Sequence, residues 1–145
     1  MSNWTHVLGA LRIDDIRGLT DMSAETIRAI MGKELQYDDP KEKWDDACDH
    51  PEEYLPIGSE GSLHLEVWEN PDVHKMTAYT VTVFGDLRDH DSAEEIIDWF
   101  MEKVAKISEA SFGVRSAFIT VENERNGAKN WTYSRLTKGK EEKHG

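Results

Sequence analysis

The chain has one cysteine, no long apolar run and few bases. Cys48 alone cannot close an internal disulfide, which points to a reducing, intracellular setting. No apolar stretch approaches the roughly 20 residues that a membrane-spanning helix needs. The opening Met1-Ser2-Asn3-Trp4 has neither a basic segment nor an apolar one, so no signal peptide is expected. Only 17 Lys and Arg stand against 29 Asp and Glu, a formal net charge of −12 over 145 residues. Such a chain is repelled by nucleic acid and by anionic lipid. Neither direct nucleic-acid binding nor membrane binding is expected. Sequence signatures of common enzymes are missing too. There is no phosphate-binding glycine loop, no dinucleotide fingerprint, no H-E-x-x-H, no G-x-S-x-G and no paired C-x-x-C.

What remains is a foldable acidic chain. Five Trp, four Tyr and four Phe argue against disorder. The length suits one domain, long enough to bury a core without disulfides or a structural metal. The charge is uneven: residues 1–50 carry net −5, residues 51–100 net −10 and residues 101–145 net +3. The densest stretch runs from Glu34 to Glu60, with ten acids against only Lys41 and Lys43. Its candidate partner-binding residues are Asp38, Asp39, Glu42, Asp45, Asp46, Asp49, Glu52 and Glu53. The plain alternative is a solvated face that keeps the protein soluble.

Hydrophobic spacing marks the elements. Trp4 to Asp14 alternates with period two, placing Val7, Gly9, Leu11 and Ile13 on one face. Asp21-Met22-Ser23-Ala24-Glu25 opens a short helix with Asp21 or Ser23 as its cap, and Gly32 ends it. A second helix starts at Asp39-Pro40 and turns Trp44, Ala47 and Cys48 inward, with Cys48 a small buried apolar residue. Ser62–Trp68 and Met76–Leu87 read as a hairpin across the turn residues Glu69-Asn70-Pro71-Asp72. Ser92 and Glu95 have capping-box spacing before a helix striped by Ile96, Ile97, Phe100, Val104 and Ile107, with Gly113 as its terminator. Val114–Asn123 and Asn130–Leu136 are strands joined at Asn126-Gly127.

The expected fold is therefore α+β. The order β-α-β-β-α-β is that of a ferredoxin-like split βαβ sandwich with sheet order 4-1-3-2, plus an extra C-terminal antiparallel strand on the strand-4 edge. Residues 1–136 form the single domain and 137–145 a frayed charged tail. The helices cover one sheet face. The other carries Trp68, Phe84 and Phe118, more apolar than a solvated face should be. Three covers compete: the N-terminal region or the Trp44 helix, a second copy in a homodimer, or a partner.

Chemistry-bearing residues cluster in Asp86-Leu87-Arg88-Asp89-His90-Asp91-Ser92, at a strand-to-helix junction. Asp86, Asp89, His90 and Asp91 are the types that hold a divalent metal, though aspartates before a helix also serve as caps. Cys48-Asp49-His50 does not define a nucleophile, no catalytic residue stands out and no cofactor is implied.

The runs Trp4-Thr5-His6-Val7, Gly58-Ser59-Glu60-Gly61-Ser62 and Phe84 to Asp91 resemble small uncharacterised proteins encoded by bacteriophages and prophages. That resemblance implies a single-domain protein acting in the cytoplasm of an infected bacterial cell. The expected function is a non-enzymatic acidic interaction module, an inhibitor that docks its acidic surface on a basic, nucleic-acid-binding partner protein. The alternatives are a self-associating assembly subunit and a small metal-assisted enzyme or ligand binder at Asp86–Asp91.

Overall fold

The computed structural model describes residues 2–16, 19–71, 76–90 and 92–135. Asp91 and the expected tail at 137–145 lie outside the described residues. The architecture is α+β. Among the described residues, five strands, β1 (Trp4–Ile16), β2 (His64–Pro71), β3 (Met76–Arg88), β4 (Gly113–Asn123) and β5 (Gly127–Ser134), form one sheet in the order β2-β3-β1-β4-β5. Every neighbouring pair is antiparallel. Three helices among the described residues accompany it: α1 (Ala24–Met31), α2 (Lys41–Asp49) and α3 (Ala93–Ala110), with a 3-10 turn at Pro51–Glu53.

The period-two pattern of β1 puts Val7, Leu11 and Ile13 into the core, where they meet Tyr79, Val81 and Val83 of β3 and Ala117, Ile119 and Val121 of β4. Both main helices cover that face. Ile27 and Met31 come down from α1; Ile96, Phe100, Val104 and Ile107 come down from α3. Burying each such side chain contributes roughly 1.5–3 kcal/mol. Ser23 and Ser92 are the helix caps, accepting from the backbone N–H of Thr26 and Glu95. Trp131 of β5 closes the core edge, its ring meeting Phe100 edge-on at 5.9 Å.

Four expectations change. β2 does not stop at Trp68: the register with β3 continues through Glu69, Asn70 and Pro71, opposite Tyr79, Ala78 and Thr77. Gly113 does not end α3; Ser111 caps it, and Gly113 opens β4. β5 begins at Gly127, directly after the turn, because Asn123 Oδ1 accepts from the N–H of both Arg125 and Asn126 and tightens the connection. Cys48 is exposed. In α2 the inward positions are Trp44 and Ala47, which join Leu35, Tyr54 and Ile57 in a small cluster apart from the main core. One position past Ala47, Cys48 turns outward.

Candidate functional site

The helix-free sheet face is open. Among the described residues neither the N-terminal segment nor α2 lies over it, and Leu8, Trp68 and Phe118 are 58%, 62% and 42% exposed. Cross-strand register explains how these side chains meet. Phe84 lies opposite both His64 and Leu8, and Phe118 is diagonal to Leu8 through Ala10. His64 and Phe84 rings stand 5.7 Å apart. Trp68 sits two rungs away on the outer strand, opposite Thr80. The three predicted aromatics thus form a central pair with Leu8 and a separate tryptophan. Glu34 guards the outer edge of β2, accepting from Leu65 N–H at 3.0 Å and approaching His64 Nδ1 at 3.1 Å. Partial burial would raise its carboxyl pKa, but the Leu65 N–H, His64 and Gln36 together hold it below the ordinary value.

The eight predicted docking acids lie on and around α2 and the 3-10 turn. Five have internal partners. Asp39 accepts from Gln36 N–H and pairs with Lys43, Asp45 pairs with Lys41, and Glu53 pairs with Lys33. Asp46 accepts from the Tyr54 hydroxyl at 2.6 Å, which pushes the Tyr54 pKa up to about 12. Glu52 lies 3.7 Å from His50 Nδ1. Asp38, Glu42 and Asp49 are exposed and have no ion pair among the described residues.

The structure separates the residues of the expected metal loop. Asp86 is on the open face, where it meets His6 Nδ1 at 2.6 Å; Glu124 takes the other ring nitrogen at 3.2 Å. Asp89 adopts φ 57, a left-handed conformation that Asp tolerates, and it turns the chain away from the sheet. Its N–H donates to Asn3 O, and Ser59 donates to its carboxylate. His90 therefore points to the helix side. Asp86, Asp89 and His90 do not form a ligand set among the described residues. The one group there with suitably close ligand atoms is His50, Glu52 and Glu53, all exposed and all within 4.8 Å of one another.

His90 instead lines a depression of about 230 Å³ between α2, the 3-10 turn and the first turns of α3. Its walls include Ala47, Tyr54, Pro56, Ile57 and Ile96, with Glu95 and Trp99 at the α3 side. The backbone of His90 is fixed from below: the Thr5 hydroxyl donates to its carbonyl at 2.6 Å, and Asn123 donates to Thr5 at 2.9 Å. Thr5 and Asn123 are both buried. This depression is where the acidic stretch Glu34–Glu60 adjoins a second acid-rich stretch, Asp86 to Glu95, the first supplying Ala47, Pro51 and Tyr54, the second His90 and Glu95. The sequence reading missed Tyr54 and Trp99, because their convergence with His90 depends on how α2 folds back against α3. A larger groove of about 700 Å³ runs between α1 and β2, lined by charges of both signs from Arg28, Lys33, Glu34, Glu52 and Glu53. No helix among the described residues is long and apolar enough to cross a membrane.

No family model matches the chain, and no curated protein matches it. Among solved structures it is similar to a phage SAM lyase in complex with S-methyl-5'-thioadenosine, at 9% identity over 89% of each chain, with a TM-score of 0.41. A likeness of that degree carries no argument about ligand or chemistry.

Proposed function

We propose that the protein is a non-enzymatic acidic interaction module that docks on a basic partner protein, in the manner of a phage-encoded inhibitor acting inside a bacterial cell. The observation that carries this reading is the meeting of the two acidic segments at one depression, on a molecule of net charge −12. A field of one sign speeds encounter with a basic surface and makes association salt-sensitive. Asp38, Glu42 and Asp49 are the residues to test, because they have no ion pair to lose among the described residues. Reversing all three to Lys weakens capture of the basic partner while circular dichroism and melting temperature stay near wild type. Equal capture by both proteins would remove acidic docking.

We also propose that the sheet belongs to the ferredoxin-like split βαβ arrangement with one added strand. Read from the β5 edge, the strand order is β5-β4-β1-β3-β2, with α1 after β1 and α3 after β3. A second functional reading, self-association through the open face, is favoured by the exposure of Leu8, Trp68 and Phe118. Sedimentation equilibrium separates it from the first: a concentration-dependent dimer abolished by Leu8→Glu supports it, and a monomer at high concentration opposes it.

A further inference from the structure

We propose that the open sheet face pairs with the same face of a second copy with the strands reversed, so that the Arg12 end of each copy lies over the Glu122 end of the other. This rests on the self-association reading and specifies how the two copies meet. Cross-strand register sorts the centre of the face into four rungs. Glu122, His6 and Asp86 form the rung at one end. Thr120, Leu8 and Phe84 come next, then Phe118, Ala10 and Thr82. Ser116, Arg12 and Thr80 form the rung at the other end. From His6 to Arg12 the strand advances about 20 Å.

Charge divides the two ends. Asp86 and Glu122 flank His6, and Glu124 meets its other ring nitrogen. At the far end Arg12 is exposed and has no hydrogen bond or ion pair among the described residues. Asp14, two residues on and so on the same face, is buried under Arg115 and Arg135. Three guanidinium groups against one carboxylate leave this end positive, on a molecule of net charge −12. Copies stacked with their strands in the same direction would set positive on positive and negative on negative. Reversal sets each Arg12 over the partner's acid-flanked end. Packed sheets cross at about 30°, which shifts the ends by about one strand spacing. Whichever way it turns, an acid on the neighbouring strand lies beneath Arg12.

Shape agrees with charge. Each central strand carries one large and one small side chain in the inner rungs: Leu8 and Ala10 on β1, Phe84 and Thr82 on β3, Phe118 and Thr120 on β4. Reversal about the centre, near Gly9, lays each large side chain on its small counterpart. A depression of about 270 Å³ around Ala10, bordered by Arg12, Thr80, Ser116 and Phe118, is the hole. The exposed Leu8 of the second copy is the knob. Five strands over that length project only about 480 Å² per copy, the small end of specific interfaces, so the dimer is weak and concentration-dependent.

The test is sedimentation equilibrium of the full chain from micromolar to millimolar concentration. The variants are Arg12→Glu and Glu122→Lys, both at exposed positions with no ion pair among the described residues, with melting temperature as the check on folding. Each reversal should weaken the wild-type dimer at least about tenfold. An equimolar mixture of the two variants should dimerise at least about fivefold more tightly than either alone, because one end is then native and the other has its charges exchanged. A wild-type monomer throughout would overturn the pairing and self-association together, as would a dimer that Leu8→Glu leaves intact. A dimer broken by Leu8→Glu but indifferent to both charge reversals, or variants that gain nothing on mixing, would overturn the reversed pairing and leave self-association standing.

Discussion

At the scale of single residues, His6 is held between two carboxylates. The Asp86 hydrogen bond, then that of Glu124, lifts its pKa above the ordinary 6.5. A raised histidine pKa stabilises the fold fully below the unfolded value, and that contribution fades as pH rises through the folded value. His6→Gln should therefore destabilise more at about pH 5.5 than at about pH 8.5 in urea unfolding. All three side chains in these pairs are more than a third exposed, so the effect stays within about 1 kcal/mol. Asp14 is a stronger case. Its buried carboxylate receives Arg115 at 2.9 Å and Arg135 at 2.9 Å. Asp14→Ala should cost about 2 kcal/mol, read as a lower urea midpoint. Sequence alone marked neither pairing. The Arg115 contact depends on a register shift between Arg12 and Ile13, which no spacing rule reveals. The same limit explains the metal loop: strand alternation fixes where Asp86 points, but the left-handed turn at Asp89 decides where His90 goes.

At the scale of elements, the sheet and its two main helices were legible because each buries a continuous apolar face. Alternation in β1, β3 and β4 and the stripe of α3 leave one consistent placement, since a one-residue slip would turn every core side chain to water. Strand ends were less legible: β2 starts two residues late, at His64, and gains three at its far end because β3 offers them partners, whatever the local turn propensity. α2 is different in kind. It buries only Ala47 outright and rests on a satellite cluster with Leu35 and Tyr54. Few apolar contacts mean cheap local opening, so amides of α2 should exchange with solvent faster than those of α3 in native-state hydrogen exchange. The Gly58–Gly61 loop is tied to β3 by Ser59 N–H to Arg88 O and by Arg88 N–H to Glu60 O. Gly61 has φ +87, and a Cβ there would lie 2.1 Å from Asp86 O. Gly61→Ala should therefore cost more than about 1 kcal/mol, measured as a drop in melting temperature.

At the scale of the whole molecule, charge and shape divide the protein into two candidate surfaces. One is the apolar sheet face around Leu8, Phe84 and Phe118. The other is the acidic side, where α2 and the start of α3 border a shared depression. The charge asymmetry was readable from composition; that the two acidic segments adjoin was not, because it requires the chain from Glu34 to Gly61 to fold beside α3. Five of the eight candidate docking acids already have partners within the molecule. The docking potential therefore rests on those without an ion pair among the described residues, and salt should weaken association by screening them. The most direct measurement is parallel affinity capture from bacterial lysate by the wild-type protein and by the Asp38→Lys, Glu42→Lys, Asp49→Lys triple variant, each washed at low and then high salt. The account predicts a stoichiometric basic protein retained by the wild type, released by salt and missing from the variant. The same partner held equally by both proteins, at either salt, would contradict it.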